Sequence, residues 1–461
     1  MVSISFIYFF LPVFMGIYSL VSSKVRKKLL PLCTAVVVCW AEPLGIIPLT
    51  VSVLSAYLGG IFIFNFRNKP VKQRIFLITA VALNTAGFLL FHKCRYDGSD
   101  LMTILGCKSL LKTAAVVGAA VYPLNSISYC VDIYRGKYRC EHHFDMVAGF
   151  VAFFPTFTAG PLTRFDKMRK CLRKPTVSFA SGAKGIRLFL QGLFRKLILS
   201  NTMFELWQNV REISLDKLPA ISAWIGMLAF ALFVYFELSS FSLMASGIAL
   251  LMGFELPENF DDPYTASSFK ELIRRFNITL YRWNRRYIHH SISKGGSKTA
   301  DIAGFCIAVL MGGFWYGISA RVLIFSLAVL LMLVLEKLFE TPLKKLPAFV
   351  RRLIFLFMFM CIMPLLAFSA PDESMRYIGA MFGSNHAAVD MLSQYLTETY
   401  LLFLVICIMA AGGLLNSAYK KAEHLSEYLT VIIQPVLTIA MLLLCTAFLI
   451  AGKGSLTGFL L

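Results

Sequence analysis

Three polar side chains stand in apolar surroundings, and each suggests a chemistry. Tyr316 lies inside MGGFWYGIS (residues 311–319), in the middle of an apolar stretch. A phenol titrates at about 10. At neutral pH it can donate a hydrogen bond to a carbonyl or an oxyanion. It does not readily take a proton, as a general base with a pKa near the working pH would. Its plain alternative is packing beside Trp315 in a helix core. Asn277 lies in RRFNITLYRWNRRY (274–287), among arginines and apolar residues. Glu237 falls near the middle of the apolar run 219–254, in YFELSSFSLMASG (235–247). A carboxylate at membrane depth is costly and is a functional candidate by default. Its structural alternatives are capping a helix or pairing with an arginine.

Such side chains need apolar elements to hold them, and the chain is rich in these. Of 461 residues 58% are hydrophobic and only 15% charged, too few charges to cover a soluble domain of this size. Apolar runs cover 4–22, 30–64, 75–92, 112–131, 146–160, 184–200, 219–254, 303–335, 350–370, 399–415 and 427–451. A span needs roughly 20 apolar residues, so the longer runs hold two segments or a broken one. The expectation is about 11 to 13 membrane segments. All are helical, because a spanning backbone must satisfy its own hydrogen bonds. The run 219–254 is too long for one helix, which predicts a junction at Glu237-Leu238-Ser239-Ser240 and a partly wet Glu237. The first run lacks a basic start and a small-residue cleavage site, so it reads as a span and not as a signal peptide.

Lys and Arg number 45 against 25 Asp and Glu, a net charge of +20. The basic residues cluster between apolar runs: KVRKK at 24–28, RNKPVKQR at 67–74, RFDKMRKCLRK at 164–174, and the stretch from Lys270 to Lys298. That pattern predicts a cytoplasmic face for these loops, where they can also meet anionic lipid or a phosphate-bearing donor. Nucleic acid is excluded as a partner, since no soluble basic domain exists to carry it. The 11 Cys are scattered without a CxxC and read as free thiols in helices. His142-His143 and His289-His290 are adjacent pairs. Neighbours on a helix point about 100° apart, so no metal site is expected.

The longest polar segment, 255–302, contains near its start PENFDDPY (257–264), an extended or turned stretch. TASSFKEL then offers a helix start, with Ser267 or Ser268 as cap and Glu271 near the first turn. Leu272, Ile273, Phe276, Leu280, Trp283 and Tyr287 recur at three and four, predicting one amphipathic helix. Its other face carries Arg274, Arg275, Arg282, Arg285 and Arg286. An interfacial helix is the simple reading. A helix dipping inward from the surface also accounts for Asn277 and for the length of the segment.

Taken in order, WAEP (40–43), SISYCVDIYRGKYR (126–139), FFPTFTAGPLTR (153–164), YFELSSFSLMASG, GFELPENFDDPY (253–264), RRFNITLYRWNRRY, the stretch around Tyr316 and AFSAPDESMRYIGAMFG (367–383) resemble one family. It is the membrane-bound O-acyltransferases. Within it the chain is similar to the bacterial alginate O-acetyltransferase membrane subunits and the teichoic acid D-alanyl transfer proteins. The resemblance implies an all-α, polytopic membrane protein. About eleven transmembrane helices would form a ring with re-entrant helices and a central funnel, as a single domain over residues 1–461. It implies a place in the bacterial cytoplasmic (inner) membrane. It also implies transfer of an acyl group, most simply acetyl, from a cytoplasmic thioester to a hydroxyl of an extracytoplasmic polysaccharide or other envelope acceptor. The donor, acetyl-CoA or an acyl carrier protein, is a substrate, and no bound cofactor or metal is implied. Membrane lipids and an extracytoplasmic SGNH-type transferase are the other implied partners. By correspondence Tyr316 and Asn277 take the catalytic positions. Trp315, Glu237, Arg274, Arg275, Trp283, Arg164 and Pro161 take positions lining the funnel.

The chain departs from the family pattern where chemistry is concentrated. Near R-R-W-H-I-S-L-S it has Arg274-Arg275-Phe276-Asn277-Ile278-Thr279-Leu280-Tyr281, with Asn for His. Near G-L-W-H-G it has Gly313-Phe314-Trp315-Tyr316-Gly317, with Tyr for the usual catalytic His. Val329-Leu330 stands where bacterial relatives often carry a second His-Gly. Three readings follow: an acyltransferase with an altered site, a catalytically degenerate relative that serves as a binding or assembly partner, and a transporter. A fold alone does not decide among them.

Overall fold

The 32-residue helix Ala220–Leu251 has 78% of its apolar window buried against the rest of the protein. Its sequence is apolar on every side, which is the signature of a helix without a solvent face. In this computed structural model, which describes residues 2–41, 43–97, 121–157, 159–293, 296–385, 391–414, 417 and 433–452, the other elements are arranged around that helix. Segments 112–120 and 427–432 of two apolar runs, and Glu42, Thr158 and Lys294 of the motifs above, lie outside the described residues.

The expected junction at Glu237–Ser240 is not there, because the helix is continuous. At 1.5 Å per residue it is roughly 48 Å long, well beyond the apolar thickness of a bilayer at about 30 Å. It needs no break because protein surrounds it and lipid does not. Its closest neighbour is Phe179–Phe194. A Cβ on Gly185 would stand 2.8 Å from the Gly247 oxygen, and one on Gly192 would stand 2.6 Å from the Ser240 oxygen. These glycines let the two backbones approach to near contact, as small residues do between membrane helices.

Beyond Phe194 the chain makes a π-helical turn, Arg195–Ser200. The turn aims two side chains at Glu237. Lys196 Nζ lies 2.7 Å from Glu237 Oε2, and the Ser200 hydroxyl donates to the same oxygen at 2.7 Å. Lys196 also donates to Asn201 Oδ1 at 3.2 Å. Lys196 and Glu237 are both buried. Glu237 is therefore dry, and its partner is a lysine.

The described residues are all-α. One isolated bridge, Phe260 with Phe276, is the sole β-type pairing among them. Four of the described helices are long and apolar enough to cross a membrane: Ile46–Asn65, Ala220–Leu251, Ala348–Ala367 and Gln394–Ala411. Shorter apolar helices are Ser5–Leu20, Phe144–Thr156 and Gln434–Ile450.

The polar segment leaves the long helix through Gly253, whose φ of +83° and close approach to the Thr176 oxygen both require glycine. PENFDDPY then runs without regular structure to Asp262, which has φ +38°, and turns there into a short 3-10 helix, Pro263–Thr265. Ser268 caps Phe269–Arg275 by accepting from the Glu271 N–H at 3.0 Å. Glu271 reaches back to the Ser267 N–H at 2.9 Å. Burial alone would raise the Glu271 carboxyl. Bonds from the Ser267 N–H and hydroxyl, with Arg275 beside it, hold it below the usual range instead. The single amphipathic helix expected from Phe269 onward is broken. It stops at Phe276, turns at Asn277 and restarts as Ile278–Asn284, followed by a π-helical turn Arg285–His289. Asn277 has φ +54°, a left-handed conformation that Asn tolerates better than most residues.

Candidate active site

The broken segment forms one wall of a cavity of about 1720 Å³. Lys298–Phe314 and Ala320–Leu338, joined by the turn that carries Trp315 and Tyr316, pack beside it and supply another part of the lining. That turn packs tightly on the second helix. A Cβ on Gly313 would stand 2.0 Å from the Ser326 hydroxyl, so a larger residue there would have to displace that side chain. The Tyr316 N–H donates to the Gly313 oxygen at 2.9 Å. The Tyr316 ring stands edge-on to Trp315 with centroids 4.9 Å apart.

Asn277 and Tyr316 meet on this cavity. Asn277 Nδ2 donates to the Tyr316 hydroxyl at 3.1 Å, and both residues line the space. A hydroxyl that accepts from an amide keeps its own hydrogen to donate. The pair can thus present polarised hydrogen-bond donors, but neither side chain is a base at neutral pH. Val329 lines the same cavity.

Charge is concentrated on the cavity lining. Arg135, Lys137, Arg164, Lys167 and the arginines of 274–286 line the space against Glu255, Asp261 and Glu271. Arg274, Arg282 and Arg285 are exposed, so they face solvent as well as the cavity. Arg275 is tied to Glu271 at 2.7 Å and donates to the Thr265 hydroxyl at 2.8 Å. Arg164 pairs with Asp166. Burial lowers the His290 pKa, and the neighbouring His289, Arg285 and Arg135 lower it further. An anionic ligand suits this lining. Among the described residues no three His, Cys, Asp or Glu side chains gather as a metal would need.

The remaining candidates are placed as follows. Trp283 lines the cavity and donates to the Leu124 oxygen at 3.2 Å. Trp315 is buried behind Tyr316 and is not part of the lining. Pro161 is also outside it, while Leu162, Thr163 and Arg164 line it. Glu237 faces Lys196, and its helix neighbours Val234 and Leu238 are the ones that reach the cavity.

Sequence reasoning passed over Asp132, buried in the helix Tyr122–Tyr134. It accepts from the Tyr287 hydroxyl at 2.8 Å and pairs with Lys137 at 3.3 Å and Arg286 at 3.5 Å. Arg135 adds a bond to the Arg286 oxygen at 2.9 Å. Together they tie the far end of the broken segment to the helix core. The signal was available: a carboxylate in an apolar helix, the same one that singled out Glu237.

An all-α integral membrane protein with a basic cavity and a polar pair upon it is thus the class that fold and site define. Residues 141–380 match the sequence pattern of the membrane-bound O-acyltransferase (MBOAT) family. The chain is 30% identical over 338 residues to the "Probable alginate O-acetylase AlgI" of Pseudomonas aeruginosa, covering 70% of this chain and 62% of that one. It is 30% identical over 194 residues to the peptidoglycan O-acetyltransferase of Helicobacter pylori, over 40% of this chain and 36% of the relative. With the teichoic acid D-alanyltransferase of Bacillus subtilis it shares 25% identity over 211 residues, 42% of this chain and 52% of the relative. The chain belongs to the membrane-bound O-acyltransferase family. It spans less than two thirds of the length of the Pseudomonas aeruginosa relative.

Proposed function

We propose that this protein, as a single membrane domain over residues 1–461, moves an acyl group across the bacterial cytoplasmic membrane. The donor is a cytoplasmic thioester, acetyl-CoA or a loaded acyl carrier protein. The acceptor is a hydroxyl of an extracytoplasmic polysaccharide or other envelope polymer. An extracytoplasmic SGNH-type transferase is a natural partner for the outer step. The observation that carries this reading is the Asn277–Tyr316 pair on the wall of a cavity lined by arginines. The arginines suit a phosphate-bearing donor. The pair suits the carbonyl oxygen of its thioester.

The acceptor oxygen attacks the thioester carbon, the C–S bond breaks, and the acceptor's proton ends on the leaving sulfur. Tyr316 and Asn277 donate to the oxygen on which negative charge develops. No side chain of the pair takes the proton at neutral pH, which costs about 10²–10⁴ in rate relative to a site with a general base. Orientation of donor and acceptor in the cavity supplies the remainder of the catalysis.

The test is transfer and hydrolysis with purified protein, labelled acetyl-CoA and an acyl-loaded carrier protein. Turnover above the uncatalysed rate is the expected result. Tyr316 and Val329 at positions where the family pattern has histidine favour a second reading, a binding or assembly protein. Binding of either donor without any turnover would establish that reading in place of the first.

A further inference from the structure

The helix Ile278–Asn284 begins without the cap that its own sequence supplies. An Asn just before a helix ordinarily sits in the extended region and turns its side-chain oxygen onto the N–H of the second or third residue. Asn277 holds that position in a left-handed conformation and makes no such bond. Its amide goes to Tyr316. The N–H groups left over are taken by one residue from another segment. The Asn259 main-chain oxygen accepts from the Ile278 N–H at 2.8 Å. Its Oδ1 accepts from the Thr279 N–H at 3.0 Å and from the Thr279 hydroxyl at 2.7 Å.

The surroundings hold this arrangement in register. The Asp261 N–H donates to the Arg275 oxygen at 3.1 Å, and the Leu162 N–H donates to the Thr279 hydroxyl at 2.9 Å. The Phe260 ring stands edge-on to Phe276 at 5.2 Å. Asn259 and Thr279 are both buried, at 4% exposure each, so an unpaired N–H there would be costly. Asn259 itself does not line the cavity.

We propose that Asn259 is a surrogate cap and a positioning residue. It satisfies the start of Ile278–Asn284 from outside, which lets Asn277 keep its left-handed turn and point its amide at Tyr316. The idea rests on the reading of that pair as the site. The two uses call on different atoms of the Asn277 amide, its oxygen for the cap and its nitrogen for Tyr316, and in the left-handed turn only the bond to Tyr316 is made. Without the Asn259 oxygen, Asn277 returns to the extended region and caps the helix itself. The strain of the left-handed turn is then relieved, and the bond to Tyr316 is lost.

The test uses the full chain in detergent with 3-fluorotyrosine at position 316, read by ¹⁹F NMR. Asn277→Ala sets the resonance position for the lost bond. Asn259→Ala should move the signal at least halfway to that position. Asn259→Gln, which keeps the amide but displaces it by one methylene, should do the same and decides the matter if the alanine variant does not fold. Asn259→Asp keeps an oxygen at the capping position and should stay nearer to wild type. The Asn259→Ala, Asn277→Ala double variant should match Asn277→Ala alone. A folded Asn259→Ala or Asn259→Gln protein with the wild-type resonance would overturn the proposal. So would Asn259→Asp moving as far as alanine. The readout needs no turnover, so an inactive wild-type protein counts against the proposed function and not against the cap. Where transfer from labelled acetyl-CoA is measurable, Asn259→Ala should lower kcat tenfold or more with KM within twofold. A loss confined to KM would speak against positioning.

Discussion

At the proposed site, Tyr316 offers a proton donor and no proton acceptor at neutral pH. Its bond from Asn277 fixes the phenol oxygen on the cavity. We expect Tyr316→Phe to reduce transfer by about 10²–10³, the cost of removing one donor to a developing oxyanion. Tyr316→His should gain nothing, because the ring nitrogens do not extend as far from the backbone as the phenol oxygen. A tenfold or greater gain with His would instead identify a missing general base. The Lys196–Glu237 pair makes a second residue-level prediction. Lys196→Met leaves a buried carboxylate without its cation and should cost about 3–5 kcal/mol. Changing both, Lys196→Met with Glu237→Met, should recover most of that loss, since an apolar pair of similar volume avoids desolvation altogether. Thermal unfolding in detergent measures both. A double variant as unstable as the single one would show that Ser200 and Asn201, left without charged partners, carry the penalty.

At the scale of the element, the break at Asn277 has separable conformational and chemical roles. Asn277→Gly keeps the left-handed turn at no steric cost and removes the amide. It should leave unfolding within about 0.5 kcal/mol of wild type while abolishing the Tyr316 bond. Asn277→Val forces a β-branched residue into the same conformation and should destabilise by about 1–3 kcal/mol. Equal stability of the two variants would mean that the turn is not required. The break was not legible in the sequence. The apolar stripe of Leu272, Ile273, Phe276, Leu280 and Trp283 continues in phase across it, so periodicity reads one helix. What interrupts that helix is the pairing of Asp261 with Arg275 and of Asn259 with Ile278. The cap at Ser268 was legible because it is local. The long central helix was misread because the length rule assumes lipid on its outside. Lys196 was hidden inside an apolar run, far along the chain from Glu237. The Asn277–Tyr316 pairing came from family resemblance, since nothing in their spacing brings two such helices together.

At the scale of the whole molecule, the basic loops predict an orientation. Lys69 and Lys170 are exposed in clusters that the positive-inside rule places in the cytoplasm. Cysteines introduced there should resist membrane-impermeant maleimide in intact cells and react after permeabilisation. Labelling of both from outside would invert the protein and place the arginine-lined cavity on the wrong side for a cytoplasmic donor. The long central helix has a further consequence, for the response to the surrounding lipid. Only 33% of the Ile46–Asn65 window and 28% of the Gln394–Ala411 window is buried, against 78% for Ala220–Leu251. Hydrophobic mismatch acts on helices that touch acyl chains, through tilt or local thinning. Thicker or thinner bilayers should therefore tilt the peripheral helices while the central one keeps its pose. The part of the cavity that stands on Val234 and Leu238 should keep its place, while the lining from Lys298–Phe314 and Ala320–Leu338, which bury few residues, should shift with bilayer thickness.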